Sequence, residues 1–126
     1  MTKTIIRTDQ APAPIGPYNQ AVGYGDILYI SGQICIDPKT NQLNNATLAA
    51  ETHQVMKNLQ AILQAAGRDF SQVLKTTIFL TDMNQFAAVN EVYGSYFTGD
   101  YPARETVQVS ALPKFVNVEI SMIVGK

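Results

Sequence analysis

The sequence of 126 residues predicts an α+β fold in which a mixed β-sheet carries two helices packed on one face. Apolar residues recur at helical spacing in two segments, residues 47–66 and 86–97, whereas the surrounding segments are β-branched or alternate apolar with polar side chains. The predicted order is therefore strands, helix, strand, helix, strands. With short right-handed connections, the simplest architecture of this order lays both helices on the same side of the sheet.

The composition is that of a single folded domain spanning residues 1–126, with 46% hydrophobic and 15% charged residues. The low charged fraction indicates that part of the surface is covered in an oligomer. A net charge of -1 supplies no electrostatic footprint for a nucleic-acid backbone, so a nucleic-acid partner is not expected. Because no apolar run suits a signal peptide or a membrane span and cysteine occurs once, we expect a cytoplasmic protein without a membrane partner.

The first half of the chain predicts three strands, over residues 4–7, 18–24 and 27–33. Three prolines and a glycine within residues 11–17 favour a rigid, irregular loop between the first two strands. Gly25 and Asp26 separate the second and third strands and suit a type I′ hairpin turn. The sequence Asp37-Pro38 is typical of the opening of a type I turn, which ends this β segment.

The second half alternates helices with strands. Residues 47–66 predict a helix that Gly67 terminates, and the β-branched residues 74–81 predict a strand. Asp82 is expected to cap the next helix through its side-chain oxygen. The buried stripe of that helix is predicted to be Phe86, Val89, Tyr93 and Phe97. The last strand is predicted over residues 116–124, where the alternating apolar residues are Val116, Val118, Ile120, Met122 and Val124.

Neither face of the strand that follows Arg104 is uniformly polar. Alternation places Glu105, Val107, Val109 and Ala111 on one face and Thr106, Gln108 and Ser110 on the other. A sheet with helices on one side and apolar residues on both sides exposes apolar surface that another subunit can cover. The sequence therefore predicts an oligomer packed through its sheet.

Arg104 is the first candidate functional residue. Pro102 fixes its own φ and favours an extended Tyr101, so the backbone that enters Arg104 is stiff. A guanidinium on such a strand end can donate two parallel hydrogen bonds to a planar carboxylate, which lysine cannot do. From this segment alone, a surface arginine on an edge strand is the favoured interpretation.

Six segments in collinear order resemble the Rid family of YjgF-like reactive-intermediate deaminases, and together they cover nearly the whole chain. The resemblance implies a chorismate-mutase-like α+β fold, a homotrimer and sites in the clefts between subunits. It also implies hydrolysis of small 2-imino or 2-enamino acids to 2-keto acids and ammonia, with no metal and no cofactor. The segments are Gly16-Pro17-Tyr18, Ile30-Ser31-Gly32-Gln33-Ile34, residues 73–80, Tyr101-Pro102-Ala103-Arg104, Leu112-Pro113 and Val118-Glu119-Ile120.

The resemblance also implies roles for individual residues. Arg104 matches the arginine that binds the substrate carboxylate, and Glu119 matches the acidic residue that orients or activates water. Four further residues match positions lining that pocket, namely Tyr18, Ser31, Gly32 and Asn90. Glu105 and Thr106 depart from the small hydroxyl residue and the cysteine that many relatives carry there, which leaves the substrate range open.

Ordinary structural roles remain open for the same residues when the resemblance is set aside. Glu119 can be a solvated strand residue, Tyr18 a rim residue whose hydroxyl reaches water, and Asn90 a surface residue of its helix. Ser31 and Gly32 can form a β-bulge or a strand end.

The remaining reactive side chains predict no metal centre and no catalytic triad. His53 is the only histidine and has no partner at ligand spacing, while Cys35 stands between two isoleucines as a small buried residue. Two classes of function remain: a cofactor-free imine and enamine deaminase, and a non-catalytic carboxylate sensor or regulatory protein on the same trimeric scaffold. RNA cleavage, which has been linked to relatives, ranks third because the sequence has no basic stripe.

Overall fold

A computed structural model describes residues 2–126 and contains one six-stranded sheet, one two-stranded sheet and two α-helices. The six-stranded sheet has the order β1-β2-β3-β8-β6-β7. Its only parallel pair in the described chain is β6 with β7, so the sheet is mixed as predicted. The elements are β1 (Thr4–Ile6), β2 (Ala21–Tyr24), β3 (Ile27–Gln33), β4 (Ile36–Asp37), β5 (Gln42–Leu43), α1 (Leu48–Ala65), β6 (Val73–Leu80), α2 (Phe86–Gly94), β7 (Ala103–Gln108) and β8 (Val118–Val124).

Helix α1 begins and ends where the sequence predicts. The Thr47 side chain accepts a hydrogen bond from the Ala50 N–H and caps the first turn. At the other end Gly67 has a φ of 71°, and the Arg68 N–H donates to the Leu63 carbonyl, a closing pattern that favours glycine. The apolar stripe of α1 is buried, as shown by Val55, Leu59 and Ile62.

The entry to α2 differs from the prediction. Asp82 caps the 3₁₀ turn Met83–Gln85 by accepting from the Asn84 N–H, and the α-helix proper begins only at Phe86, without a side-chain cap. The helix ends at Gly94, so Phe97 packs against the core from the following loop rather than from the helix. Phe86 is exposed rather than buried, because it lies beside Arg104 at the edge of the sheet.

Both helices pack on one face of the sheet, as predicted. Alternate residues of the central strands point to this face and are buried with the helix stripes. The Tyr93 hydroxyl donates to the Thr76 hydroxyl and joins α2 to β6. The central residues of this core are Leu28, Ile30, Val55, Met56, Leu59, Ile62, Leu63, Ile78, Leu80, Val118, Ile120 and Met122.

The opposite side of the sheet, here called the open face, carries apolar side chains that no part of residues 2–126 covers. Its exposed members include Ile5 (40%), Tyr24 (52%), Tyr29 (51%) and Val107 (45%). In the parallel pair Val107 lies beside Phe79, and Glu105 lies beside Thr77, so the predicted alternation of β7 is confirmed. The Glu105 carboxylate accepts from the Thr77 hydroxyl and lies 3.4 Å from the Lys75 ammonium.

Three local predictions are wrong. Strand β2 begins at Ala21 rather than residue 18, and β8 begins at Val118 rather than residue 116, because the preceding residues turn away from the sheet to form loops. In the hairpin turn only Gly25 has a positive φ, which excludes type I′, since that turn needs it at Asp26 as well. The predicted turn at Asp37 connects β4 with β5, a small hairpin too short to show a periodic pattern.

Candidate functional site

A cavity of about 440 Å³ lies at one end of β3 and β8. Four of the six predicted site residues line it: Tyr18, Ser31, Gly32 and Glu119. The rest of the wall comes from the proline-rich loop, from the residues after β3 and from the turn before β8, namely Pro12, Ala13, Ile15, Gln20, Gln33, Ile34, Ile36 and Pro113.

A β-bulge in β3 shapes the floor of the cavity. The pairing of β3 with β8 shifts register between Ile30 and Gln33, so Ser31 and Gly32 together face a shorter stretch of β8. A methyl group on Gly32 would lie 2.7 Å from Oε2 of Glu119. Because the atoms that a methyl group would meet belong to the Glu119 side chain, a larger residue here would displace that carboxylate, and no positive φ calls for glycine.

Glu119 is half-buried among these residues. It projects from β8 on the side opposite Val118 and Ile120, which lie in the core. Burial raises the pKa of the Glu119 carboxyl above its ordinary value, because the charged form loses water. A carboxyl group with a raised pKa in a cavity is suited to exchange protons near neutral pH.

Gln20 holds the proline-rich loop in place along the cavity. Its buried side chain donates to the carbonyls of Thr8 and Pro12 and accepts from the Thr8 N–H. These bonds satisfy the backbone of an irregular segment, which would otherwise have no partner. The role of Gln20 could not be predicted from the sequence, because a single glutamine between two predicted strand residues forms no recognisable pattern.

The hydroxyl groups of Ser31 and Tyr18 are both engaged with this loop. Ser31 donates to the Asn19 carbonyl at 2.6 Å, which leaves its lone pairs as acceptors. The Tyr18 oxygen accepts from the Ile15 N–H at 3.2 Å, so its own O–H remains available to donate. The two residues can thus present one acceptor and one donor to a molecule in the cavity.

Arg104 and Asn90 lie elsewhere, in a second cavity of about 450 Å³ that is also lined by Tyr93, Gly94, Tyr101 and Pro102. The Arg104 guanidinium donates to Oδ1 of Asn90 at 2.7 Å. Its central carbon lies 5.5 Å from the ring centre of Phe86 and 5.2 Å from that of Tyr93. Two aromatic rings and one amide therefore fix the guanidinium, whose other N–H groups stay free for a carboxylate.

The residues that hold Arg104 share a helical spacing in the sequence. Phe86, Asn90 and Tyr93 follow one another at spacings of four and three, which places them on one face of α2. Asn90 was predicted to line the pocket beside an apolar stripe, and the structure places it within that stripe as the partner of Arg104.

A single chain does not bring the two groups of predicted residues together. The cavity of Glu119 and the cavity of Arg104 share no lining residue. Strand β6 lies between β8 and β7, and Arg104 pairs with Thr76, whose side chain is buried on the helix side, whereas Glu119 pairs with Phe79 on the open face. In one chain the two groups therefore lie on different faces of the sheet.

The other candidate residues lie apart from both cavities. Burial raises the pKa of the Cys35 thiol to about 11, so the thiol stays protonated and is a poor nucleophile. Nδ1 of His53 lies 2.8 Å from the Tyr96 hydroxyl, which gives this histidine a structural partner. Within residues 2–126 no group of three potential ligand side chains could hold a metal ion, and no helix is long and apolar enough to cross a membrane.

Comparison with known proteins gives the family. The sequence model of the family described as "Endoribonuclease L-PSP" matches residues 8–125. The chain belongs to this family, which is also called the YjgF, RutC or Rid family.

Two relatives and one solved structure show how far the similarity extends. Protein DfrA of Myxococcus xanthus is 54% identical over 125 residues, which cover 98% of this chain and 95% of that protein. The mouse 2-iminobutanoate/2-iminopropanoate deaminase is 50% identical over 121 residues, covering 96% and 90% of the two chains. The Rid family protein YyfA of Yersinia pestis, at 48% identity, superposes with a TM-score of 0.96 over 99% of this chain and 100% of its own. The YjgF-like Rid fold is therefore confirmed.

Proposed function

We propose that this Rid family chain hydrolyses small 2-imino or 2-enamino acids to 2-keto acids and ammonia. The observation that carries the proposal is the half-buried Glu119 carboxyl, whose pKa burial raises, in a cavity shared with Ser31, Gly32 and Tyr18. A proton acceptor beside room for a small molecule is what addition of water to a C=N bond requires. The mouse relative at 50% identity is named a 2-iminobutanoate/2-iminopropanoate deaminase, which supports the same reaction.

In the proposed reaction Arg104 binds the substrate carboxylate and Glu119 handles the protons. The Glu119 carboxylate takes a proton from water while the water oxygen bonds to C2 of the iminium acid and the C=N π pair moves to nitrogen. The resulting carbinolamine receives that proton on nitrogen from Glu119. The C–N bond then breaks and ammonia leaves with the electron pair. The hydroxyl group gives its proton to the Glu119 carboxylate as the C=O bond forms, and Glu119 then passes this proton to the released ammonia.

The reaction requires a homotrimer in this proposal, since the carboxylate-binding and water-activating groups lie in separate cavities of one chain. The exposed apolar side chains of the open face supply the contact surface. Packing of the sheets places Arg104 and Asn90 of one subunit opposite Glu119 of the next. Residues 1–126 act as one domain of that assembly, and we place it in the cytoplasm.

The test is direct turnover. We would generate 2-iminopropanoate and 2-iminobutanoate in situ and follow release of the keto acid, expecting faster release with the protein, with or without a metal chelator. Glu91→Gln is the matched control for Glu119→Gln and should release the keto acid as fast as wild type. Glu91 is an exposed carboxylate on α2 outside both cavities. An unaccelerated release would reject the proposal.

The non-catalytic alternative predicts a different result in the same assay. A carboxylate sensor would bind 2-keto acids through Arg104, whose guanidinium is held ready by Asn90, without accelerating imine hydrolysis. Calorimetric binding of 2-oxobutanoate together with unchanged release rates would therefore select the sensor.

A further inference from the structure

Glu51 is a buried carboxylate that the proposed reaction does not use. It lies in the first turn of α1 with 0% of its surface exposed. No Lys or Arg nitrogen of residues 2–126 lies within ion-pair distance of it. Burying a carboxylate without a cation costs free energy, which hydrogen bonds must offset. The donors of these hydrogen bonds therefore indicate the role of Glu51.

The donors to Glu51 come from Asn117, which directly precedes β8, and from Val118, the first residue of β8. Oε2 accepts from the backbone N–H groups of Asn117 at 2.7 Å and Val118 at 3.0 Å, and Oε1 accepts from the Asn117 side-chain amide at 2.8 Å. Hydrogen bonds to a charged acceptor are roughly twice as strong as neutral ones. Glu51 therefore ties the first residues of β8 to α1, immediately before Glu119.

The chain that enters β8 contains a strained turn. Lys114 and Phe115 both have a positive φ, at 55° and 56°, a conformation that is unfavourable for residues with a side chain. Strand β3 pairs with β8 only from Ile120 onward, so the residues before it have no strand neighbour on that side. A strained turn persists only where surrounding contacts determine its geometry.

Glu119 is held by its pairing with Phe79 of β6 and by two further contacts. The bulge at Gly32 limits its carboxylate on one side, and the Glu51 anchor fixes the backbone one residue before it. Burial raises the pKa of the Glu119 carboxyl, and the link between Glu51 and Glu119 is the backbone of β8, which Glu51 binds at Val118.

We propose that Glu51 is a positioning residue, which fixes the distance between α1 and the start of β8 and thereby places the Glu119 carboxylate in the cavity. The inference rests on the proposed function of Glu119. A misplacement of about 1 Å at a reacting group can cost on the order of 100-fold in rate, so the length of the Glu51 side chain matters for turnover.

Two variants separate length from charge. Glu51→Asp keeps the charge and both acceptors but shortens the side chain, whereas Glu51→Gln keeps the length and removes the charge. In Glu51→Gln one oxygen can still serve both backbone N–H groups, and the Asn117 amide can rotate to accept from the new amide. We expect kcat of Glu51→Asp to fall about tenfold with KM changed less than about twofold, and Glu51→Gln to stay within about threefold of wild type.

A double-mutant cycle identifies the route of the effect. If Glu51 acts only by placing Glu119, then Glu51→Asp should cause no further loss in a Glu119→Gln background. A kcat of Glu51→Asp equal to wild type, a larger loss in Glu51→Gln than in Glu51→Asp, or a full additional loss in the Glu119→Gln background would each overturn the inference. A lowered thermal midpoint with unchanged kcat would show a purely structural role and would also overturn it.

A titration that does not depend on turnover keeps the inference separate from the proposed function. The pKa of Glu119, followed by carboxyl NMR, should shift toward its ordinary value in Glu51→Asp because a displaced carboxyl gains water. An unshifted pKa contradicts the inference even if no imine is hydrolysed, whereas failure of the wild-type chain in the imine assay rejects only the function. Should Glu51→Asp not fold, Asn117→Ala removes one bond to Glu51 and must show the same shift in the same direction.

Discussion

Arg104 has a geometry that a lysine cannot reproduce. One N–H group is bound to Asn90, two aromatic rings flank the guanidinium, and the remaining donors form a planar fork. Loss of two charge-assisted hydrogen bonds costs about 3 kcal/mol or more, so Arg104→Ala and Arg104→Lys should each lose on the order of 100-fold in kcat/KM. Keto-acid affinity, measured by calorimetry, should fall in parallel.

The control for this prediction is Arg7→Lys. Arg7 is exposed and follows β1, at the opposite edge of the sheet from β7, so its replacement should leave kcat/KM unchanged. Near-normal activity of Arg104→Lys would contradict two-pronged carboxylate binding. If Arg104→Ala instead dissociated or unfolded and bound keto acids normally once reassembled, Arg104 would be a structural residue.

Glu119 makes the stability of the fold depend on pH. Its folded-state pKa is raised, so its favourable contribution is complete below the unfolded pKa and is lost as pH rises through the folded pKa. Glu119→Gln should therefore melt at a temperature equal to wild type in acid and above wild type at neutral pH. Thermal midpoints measured across this window check the sign, and a constant difference at all pH values would refute it.

The same variant tests the proton transfer. Glutamine keeps the shape of Glu119 and removes the base, so turnover should fall about 100-fold or more, the usual scale for a general base. Binding of 2-keto acids should persist, since Arg104 is unchanged. Full turnover in Glu119→Gln would move the role of base to water, to Tyr18 or to the substrate itself.

The side chains around each site residue could be predicted only in part. The resemblance identified Arg104 and Glu119, but the partners that hold them, Gln20 and Glu51 among them, show no local pattern in the sequence. Gln20 acts through backbone groups of an irregular loop, and Glu51 acts across 66 residues of chain. Such contacts depend on tertiary packing, which periodicity does not encode.

The bulge in β3 is the element that forms the cavity floor. Gly32→Ala would place a methyl group 2.7 Å from Oε2 of Glu119, closer than side-chain carbons ordinarily come. We expect the carboxylate to move and kcat to fall at least about tenfold, while Arg104 still binds keto acids. Gly23→Ala in β2 is the matched control, because its added methyl would meet Thr4 at an ordinary 3.8 Å. Equal kcat in the two variants would show that Glu119 need not pack on the bulge.

Elements with long periodic patterns were predicted within a few residues, and the two-residue strands were not. Helix α1 and strand β3 match the predicted bounds because capping, periodicity and turn residues agree along their length. Strands β4 and β5 have two residues each, which is too short for any period. The early end of α2 was missed because Phe97 continues the apolar spacing of the helix after the helical backbone has stopped.

At the scale of the whole molecule, the open face and the separated cavities lead to the same assembly. One chain leaves four large apolar side chains exposed on that face and keeps Arg104 apart from Glu119. In the proposed trimer, burial of the face between subunits would remove the apolar surface from water, and each Glu119 cavity would receive an Arg104 from a neighbour. The alternation in β7 predicted the apolar face, but no sequence pattern gives the number of subunits.

The assembly prediction is a trimer at micromolar concentration, measured by sedimentation equilibrium without ligand. Val107→Asp places a charge among the apolar residues of the open face beside Phe79, so it should dissociate the trimer and abolish imine hydrolysis. Met83→Asp, at an exposed residue on the helix side, should remain trimeric and active. Mixing Arg104→Ala with Glu119→Gln subunits then decides whether the site is shared, because a composite site regenerates some intact clefts in mixed trimers. Two inactive variants that gain no activity on mixing would place the whole site within one chain.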